Sequence, residues 1–183
     1  MNILRFAVGG TALLIVVGCA DARDASAPTA PAFTARTHSA ALRASPARQV
    51  RATGHFDANV DFSTVTLTPR GRNCLLEVDG VLVFTGTIEG TATAHTSALE
   101  SASCAEVATN PPGTFSDVFK SRAVFVGTVD GTPARANLLY QGQVQPGGHI
   151  DARLLFSHGV EGSLVADAVV AVGGDYRGTV VVK

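Results

Sequence analysis

Phe125-Val126-Gly127-Thr128-Val129-Asp130-Gly131-Thr132 decides the fold. Alternate side chains of a strand point to opposite faces, so Phe125, Gly127 and Val129 share one face and Val126 and Thr128 the other. Asp130-Gly131 then accepts the positive φ angles of a tight hairpin, and the chain reverses. The five-residue unit at the head of this stretch is aromatic, any residue, Gly, Thr or Gln, then Val or Ile. It recurs as Phe84-Thr85-Gly86-Thr87-Ile88, Tyr140-Gln141-Gly142-Gln143-Val144 and Tyr176-Arg177-Gly178-Thr179-Val180. Glycine weakens a strand, so four in one register need a cause. A ring can lie over the bare backbone of a neighbouring Gly, or the missing side chain lets the strand coil as closing a barrel requires. Either cause places Phe84, Phe125, Tyr140 and Tyr176 in the interior and Thr85, Gln141 and Arg177 toward solvent. Val126 and Val181 fall on the outward side and weaken the pattern.

Outward from this unit the chain stays β. His55-Phe56-Asp57-Ala58-Asn59-Val60-Asp61-Phe62 alternates cleanly, with Phe56, Ala58, Val60 and Phe62 on one face. Further strands are expected over 64–68, 75–88, 91–98, 117–129, 134–145, 149–157, 162–171 and 175–182. Turn signals separate many of them: Pro69-Arg70-Gly71, Asn110-Pro111-Pro112-Gly113, Asp130-Gly131, Pro146-Gly147-Gly148 and Gly173-Gly174-Asp175. Asp79-Gly80 reads as a bulge inside a longer strand. Composition agrees: Gly is abundant at 19 residues, Trp is absent, and only 16% of residues are charged.

The F-x-G-T-[IV]-[DE]-G unit, the later Y-x-G strand and the closing Gly-rich hairpins resemble small secreted bacterial proteins of the DUF3224-like group. That group is assigned to the allene oxide cyclase and dirigent-like barrel superfamily. The resemblance covers roughly residues 53 to 182. It implies an all-β domain, a single closed antiparallel barrel of about eight strands, with an interior cavity. Characterised members of the superfamily act on or steer small apolar molecules. No working residue of theirs is carried over to a position of this chain.

The N-terminus is a different kind of sequence. Arg5 precedes an apolar run from Phe6 to Val17 broken only by Gly9, Gly10 and Thr11. It is shorter than the ~20 residues that span a bilayer and fits the core of a secretion signal. Val16-Val17-Gly18-Cys19 resembles the lipobox of bacterial lipoproteins. That resemblance implies cleavage after Gly18 and a lipid on the Cys19 sulfur; the alternative is an ordinary signal peptide with a chance Cys. Residues 1–18 are thus a signal peptide, and 19–49 a lipidated Cys and a disordered tether rich in Ala, Pro, Ser and Thr. This tether has too few large apolar residues to offset its chain entropy, and its random-coil reach is roughly 30 Å. Residues 50–183 form the barrel domain. Export to an oxidising compartment then pairs the two remaining cysteines, Cys74 and Cys104, in a disulfide, the alternative being two free thiols.

Chemical motifs are absent. There is no G-x-S-x-G elbow, P-loop or H-E-x-x-H, so no catalytic residue, metal ligand or cofactor is assigned. His55 with Asp57 and Asp61 reads as a solvent-facing polar edge, and Glu77 points outward from between Leu76 and Val78. His95, His149 and His158 lack a partner at ligand spacing, apart from the local His149–Asp151 pair. A formal net charge of −1 argues against nucleic acid. The expectation is an extracytoplasmic cell-envelope lipoprotein, held to the membrane by its lipid. It is read as a non-catalytic binder of a small apolar ligand or an envelope component. The alternatives are an isomerase or cyclase of the allene oxide cyclase type, which needs a polar group inside the barrel, and a structural or adhesive surface domain, which needs no cavity.

Overall fold

The computed structural model describes residues 47–183. The expected signal peptide, Cys19 and most of the expected tether lie outside the described residues. The strands are β1 (Arg48–Arg70), β2 (Asn73–Gly86), β3 (Ile88–Glu100), β4 (Asp117–Val129), β5 (Thr132–Val144), β6 (His149–Ser157), β7 (Val160–Val169) and β8 (Gly173–Val182). One short helix, α1 (Cys104–Val107), interrupts the connection between β3 and β4. Each strand pairs antiparallel with the next, and β8 returns to β1, closing an eight-stranded up-and-down barrel. Closure leaves no free sheet edge around the barrel wall. Every residue of the hydrophobic core cluster lies between Val50 and Val182, so the barrel carries its own core.

The recurring unit lines the interior. Phe84, Phe125, Tyr140 and Tyr176 are all buried, as are Ile88, Val129, Val144 and Val180 four residues after each. Thr85 and Arg177 are exposed and Gln141 is half-buried. The glycines of the unit mark close backbone approach between strands. A Cβ on Gly127 would stand 2.0 Å from the Glu89 carbonyl oxygen, because β3 and β4 approach closely there. The ring-over-glycine contact falls on Gly54 instead, whose Cβ would lie 2.4 Å from the Tyr176 hydroxyl. That hydroxyl accepts from Ile88 N at 2.9 Å and lies 3.0 Å from the Thr85 carbonyl oxygen, tying β8 to the β2–β3 turn.

Several expected boundaries move. Segments 55–62 and 64–68 are one strand, β1, whose register with β2 breaks between Asp61 and Thr66. The bulge therefore lies in β1, not at Asp79-Gly80, which pairs regularly with β1 and β3. Asp61 makes it by folding back: its Oδ1 accepts from Ser63 N and Oγ at 3.0 and 2.6 Å. Thr64 Oγ1 then accepts from Asp79 N at 2.9 Å and reseals the sheet. The extra residues re-aim Phe62, which strict alternation places beside Phe56 but which is 57% exposed. The chain turns at Thr87, inside the first copy of the unit, and Gly86 adopts φ +102° to allow it. Gly173 and Gly174 belong to β8, not to a turn. A Cβ on either would meet a neighbouring carbonyl oxygen at 2.0–2.1 Å, so close backbone approach explains them.

Phe125 is fully buried and packs edge-on against Phe84 and Phe156. Phe125→Ala should therefore lower unfolding free energy by about 3–5 kcal/mol in urea titration. Gly127→Val should also destabilise, because its Cβ would collide with backbone rather than with a movable side chain. Midpoints unchanged from the parent in both variants would contradict this account of the core.

Candidate functional site

The barrel is filled at one end and hollow at the other. Toward the β2–β3, β4–β5 and β6–β7 turns, the interior is packed with Phe84, Phe125, Phe156 and Tyr176. Toward the opposite end, inward positions carry small residues, among them Ala58, Gly80, Ala94 and Ala98. Short side chains at inward positions leave the space that large ones would fill. The result is a cavity of about 550 Å³, floored by Phe56, Phe119 and Tyr140. Its other walls are mainly aliphatic.

The rim has two main parts. The β1–β2 hairpin runs past the end of β8 and contributes Phe62, Leu67, Leu76 and Val78. Opposite comes the β3–β4 connection, contributing Pro111 and Phe115. Cys74 of β2 and Cys104 of α1 stand at disulfide distance, with Cα atoms 4.9 Å apart, so the bridge pins that connection to the hairpin. Ser103 and Glu106 form a reciprocal capping box that fixes the turn carrying Cys104. Gly147 N donates to the Gly113 carbonyl at 2.9 Å and secures the other side of the same loop to the β5–β6 turn.

Polar groups enter the cavity from β3, β4 and β5. Glu100 and Asp117 are register partners at the start of the long connection, both buried, and both line the cavity. Two inward positions further along, Ser121 pairs with Thr96 on one side and Tyr140 on the other, and the Thr96 and Ser121 hydroxyls bond each other. Asp117 is only 8% exposed, and its Oδ1 finds no hydrogen-bond partner among the described residues; neither does the buried Tyr140 hydroxyl. Burial pushes the Asp117 carboxyl up to about 7, and the neighbouring Glu100 adds like-charge repulsion. Burial likewise raises Glu100 and the Tyr140 phenol. An apolar cavity with a carboxyl poised near neutrality can donate or accept one hydrogen bond or one proton, depending on what enters.

Sequence reasoning placed Tyr140 inside and missed both carboxyls. Period-two counting back from Phe125 through Ala123, Ser121 and Phe119 reaches Asp117, so its inward position was legible. Glu100 was hidden because the expected strand stopped at residue 98. The described histidines stay outside the cavity, and each of three gains acidic partners across strands. His55 Nδ1 is 2.8 Å from Asp175, His95 Nδ1 is 2.7 Å from Asp79, and His149 lies 3.5–3.6 Å from Asp151 and Asp167. The expectation that His95 lacks a partner is thus corrected: it pairs with Asp79 across the β2–β3 ladder. The hydrogen bond to Asp79 raises the pKa of His95. All three are solvent-exposed, and no metal-binding group of three such side chains occurs among the described residues.

Asp117 gives a stability signature. Its ordinary value is 3.8 and its folded value about 7, so between the two the folded chain holds a proton that the unfolded chain has released. Stability from this proton is complete below pH ~4 and is lost as pH rises to about 7. Urea unfolding at pH 4 and pH 8 should show the parent losing on the order of 2–4 kcal/mol more than Asp117→Asn. Parallel pH profiles for the two proteins would refute a buried, unpaired Asp117.

The barrel is similar to the crystal structure of a protein of unknown function from the DUF3224 family of Shewanella oneidensis MR-1. The TM-score is 0.52 at 14% identity, covering 74% of this chain and 98% of that one. No protein-family model matches the chain, and no curated protein matches it either. At that identity the likeness is one of fold, and it agrees with the resemblance carried by the ring-glycine units.

Proposed function

We propose that this chain is an exported envelope protein, lipid-anchored at Cys19, whose barrel binds a small, largely apolar molecule. The observation that carries the binding reading is the half-filled barrel. A cavity of about 550 Å³ falls within the ~300–1,000 Å³ of small-molecule sites, and it joins apolar walls to a few convergent polar groups. Fold alone would not support it, since one fold hosts unrelated functions. A structural or adhesive surface domain has no use for such a space. The described chain enters the barrel at Arg48, which pairs with Val182 near the packed end.

A second reading is favoured by one specific observation. Asp117 and Glu100 are carboxyls inside an apolar cavity, the kind of group that an acid–base isomerase or cyclase needs. A binder returns its ligand unchanged; an isomerase returns a product of equal mass and different retention, which chromatography of the released ligand separates.

The binding reading is tested on residues 20–183, which retain the whole barrel. Native mass spectrometry should find a co-purifying small molecule, or 1:1 binding of the neutral probe N-phenyl-1-naphthylamine. Ala98→Phe, which fills the hollow half, should weaken probe binding at least tenfold. Equal binding by the filled variant would place the probe elsewhere and defeat the reading. For the anchor, Cys19→Ala should abolish metabolic palmitate labelling in cells; labelling that persists would remove the lipobox assignment.

A further inference from the structure

The charge of the cavity is one-sided. The charged side chains it encloses are Glu100 and Asp117, since the Asp79 carboxylate pairs with the exposed His95, and none of the lining residues is Lys, Arg or His. The basic residues nearest in sequence, Lys120 and Arg122 of β4, are exposed on the outer face. Asp117 therefore stands opposite Glu100 of β3, with no cation among the lining residues to answer it. A buried carboxylate is normally retained only when paired.

We propose that the cavity takes a cationic amphiphile: an apolar body seated in the hollow half of the barrel, with a protonated amine held between Asp117 and Glu100. This deepens the binding reading above and rests on it. Three features act together. The apolar walls bury the body. The unpartnered Asp117 Oδ1 accepts a hydrogen bond from the ammonium group. The two carboxyls, which repel each other when both ionised, are neutralised by one positive charge between them. Fatty acids of the same length are excluded, because a third carboxylate would enter an already acidic, desolvated pocket.

The test compares three ligands with the same ten-carbon chain: decylamine, decanol and decanoate, each titrated calorimetrically into residues 20–183 at pH 8. Decylamine should bind at least tenfold more tightly than decanol, and decanoate at least tenfold more weakly. Lowering the pH to 6 should narrow the preference for the amine, because Asp117 takes up a proton while the amine keeps its own. Asp117→Asn should bring decylamine to within threefold of decanol and leave decanol unchanged. Comparison of the three ligands on the parent protein needs no variant, so a folding defect in Asp117→Asn does not blunt the test. Equal binding of all three ligands would overturn the cation inference and leave the apolar-binding reading standing. Preferential binding of decanoate would overturn it outright. Binding of none of them would remove the apolar-binding reading itself.

Discussion

The Phe84 ring lies 5.6–6.5 Å, centroid to centroid, from four others: Phe56, Phe125, Phe156 and Tyr176. Those five side chains come from β1, β2, β4, β6 and β8, so one cluster fastens strands from all round the barrel. Aromatic pairs in tilted and edge-on geometry contribute beyond the area they bury. The cluster also sets the spacing of the wall. Strands that must bend around it approach each other closely at Gly54, Gly90 and Gly127, where any side chain would strike backbone. Tyr176 joins packing to polar satisfaction: its ring is buried, and its hydroxyl takes up the backbone groups freed where β2 turns into β3.

A barrel filled by large rings at one end can be hollow at the other without losing its closure. Here the change is made within single strands. Along β3 the inward positions pass from Ile88 to Ala92, Ala94, Thr96, Ala98 and Glu100; along β4 they pass from Phe125 to Ala123, Ser121, Phe119 and Asp117. β3 becomes smaller and then polar toward the mouth, and β4 ends there on a carboxyl beyond the Phe119 ring. Burying Asp117 and Glu100 without a cation works against folding at neutral pH, and the barrel tolerates it because the aromatic half supplies its stability. Rule-breaking residues concentrated in one place, in an otherwise consistent sequence, are what a working site looks like.

The mouth is held by means that differ from those of the wall. A bulge at Asp61 lets the β1–β2 hairpin run on past β8, and the Cys74–Cys104 pair ties the β3–β4 connection to it. Closing a loop of that length restricts the unfolded chain by roughly 3–4 kcal/mol in the chain-entropy account. The bridge matters more for position, since it fixes the segment carrying Pro111 and Phe115 over a cavity that strand pairing alone would leave uncovered.

The ring-glycine unit and the turn dipeptides determined the all-β class, and period two determined which rings face inward. These are local properties: alternation and positive-φ turns are written in consecutive residues, and slipping by one residue would turn Phe125 to water and Arg177 to the core. The resemblance carried by the same residues supplied the closed barrel. The bulge in β1, the reversal at Thr87 and the placement of Gly173-Gly174 inside β8 were not legible, because each depends on what the neighbouring strand presents. Asp117 could have been found by counting; its meaning could not. That it faces Glu100, that both sit in an apolar hollow, and that no basic residue lines that hollow are facts about β3, β4, β5 and a rim assembled from distant segments. Desolvation and charge balance depend on everything within a few ångströms, and only the closed tertiary structure decides what that is.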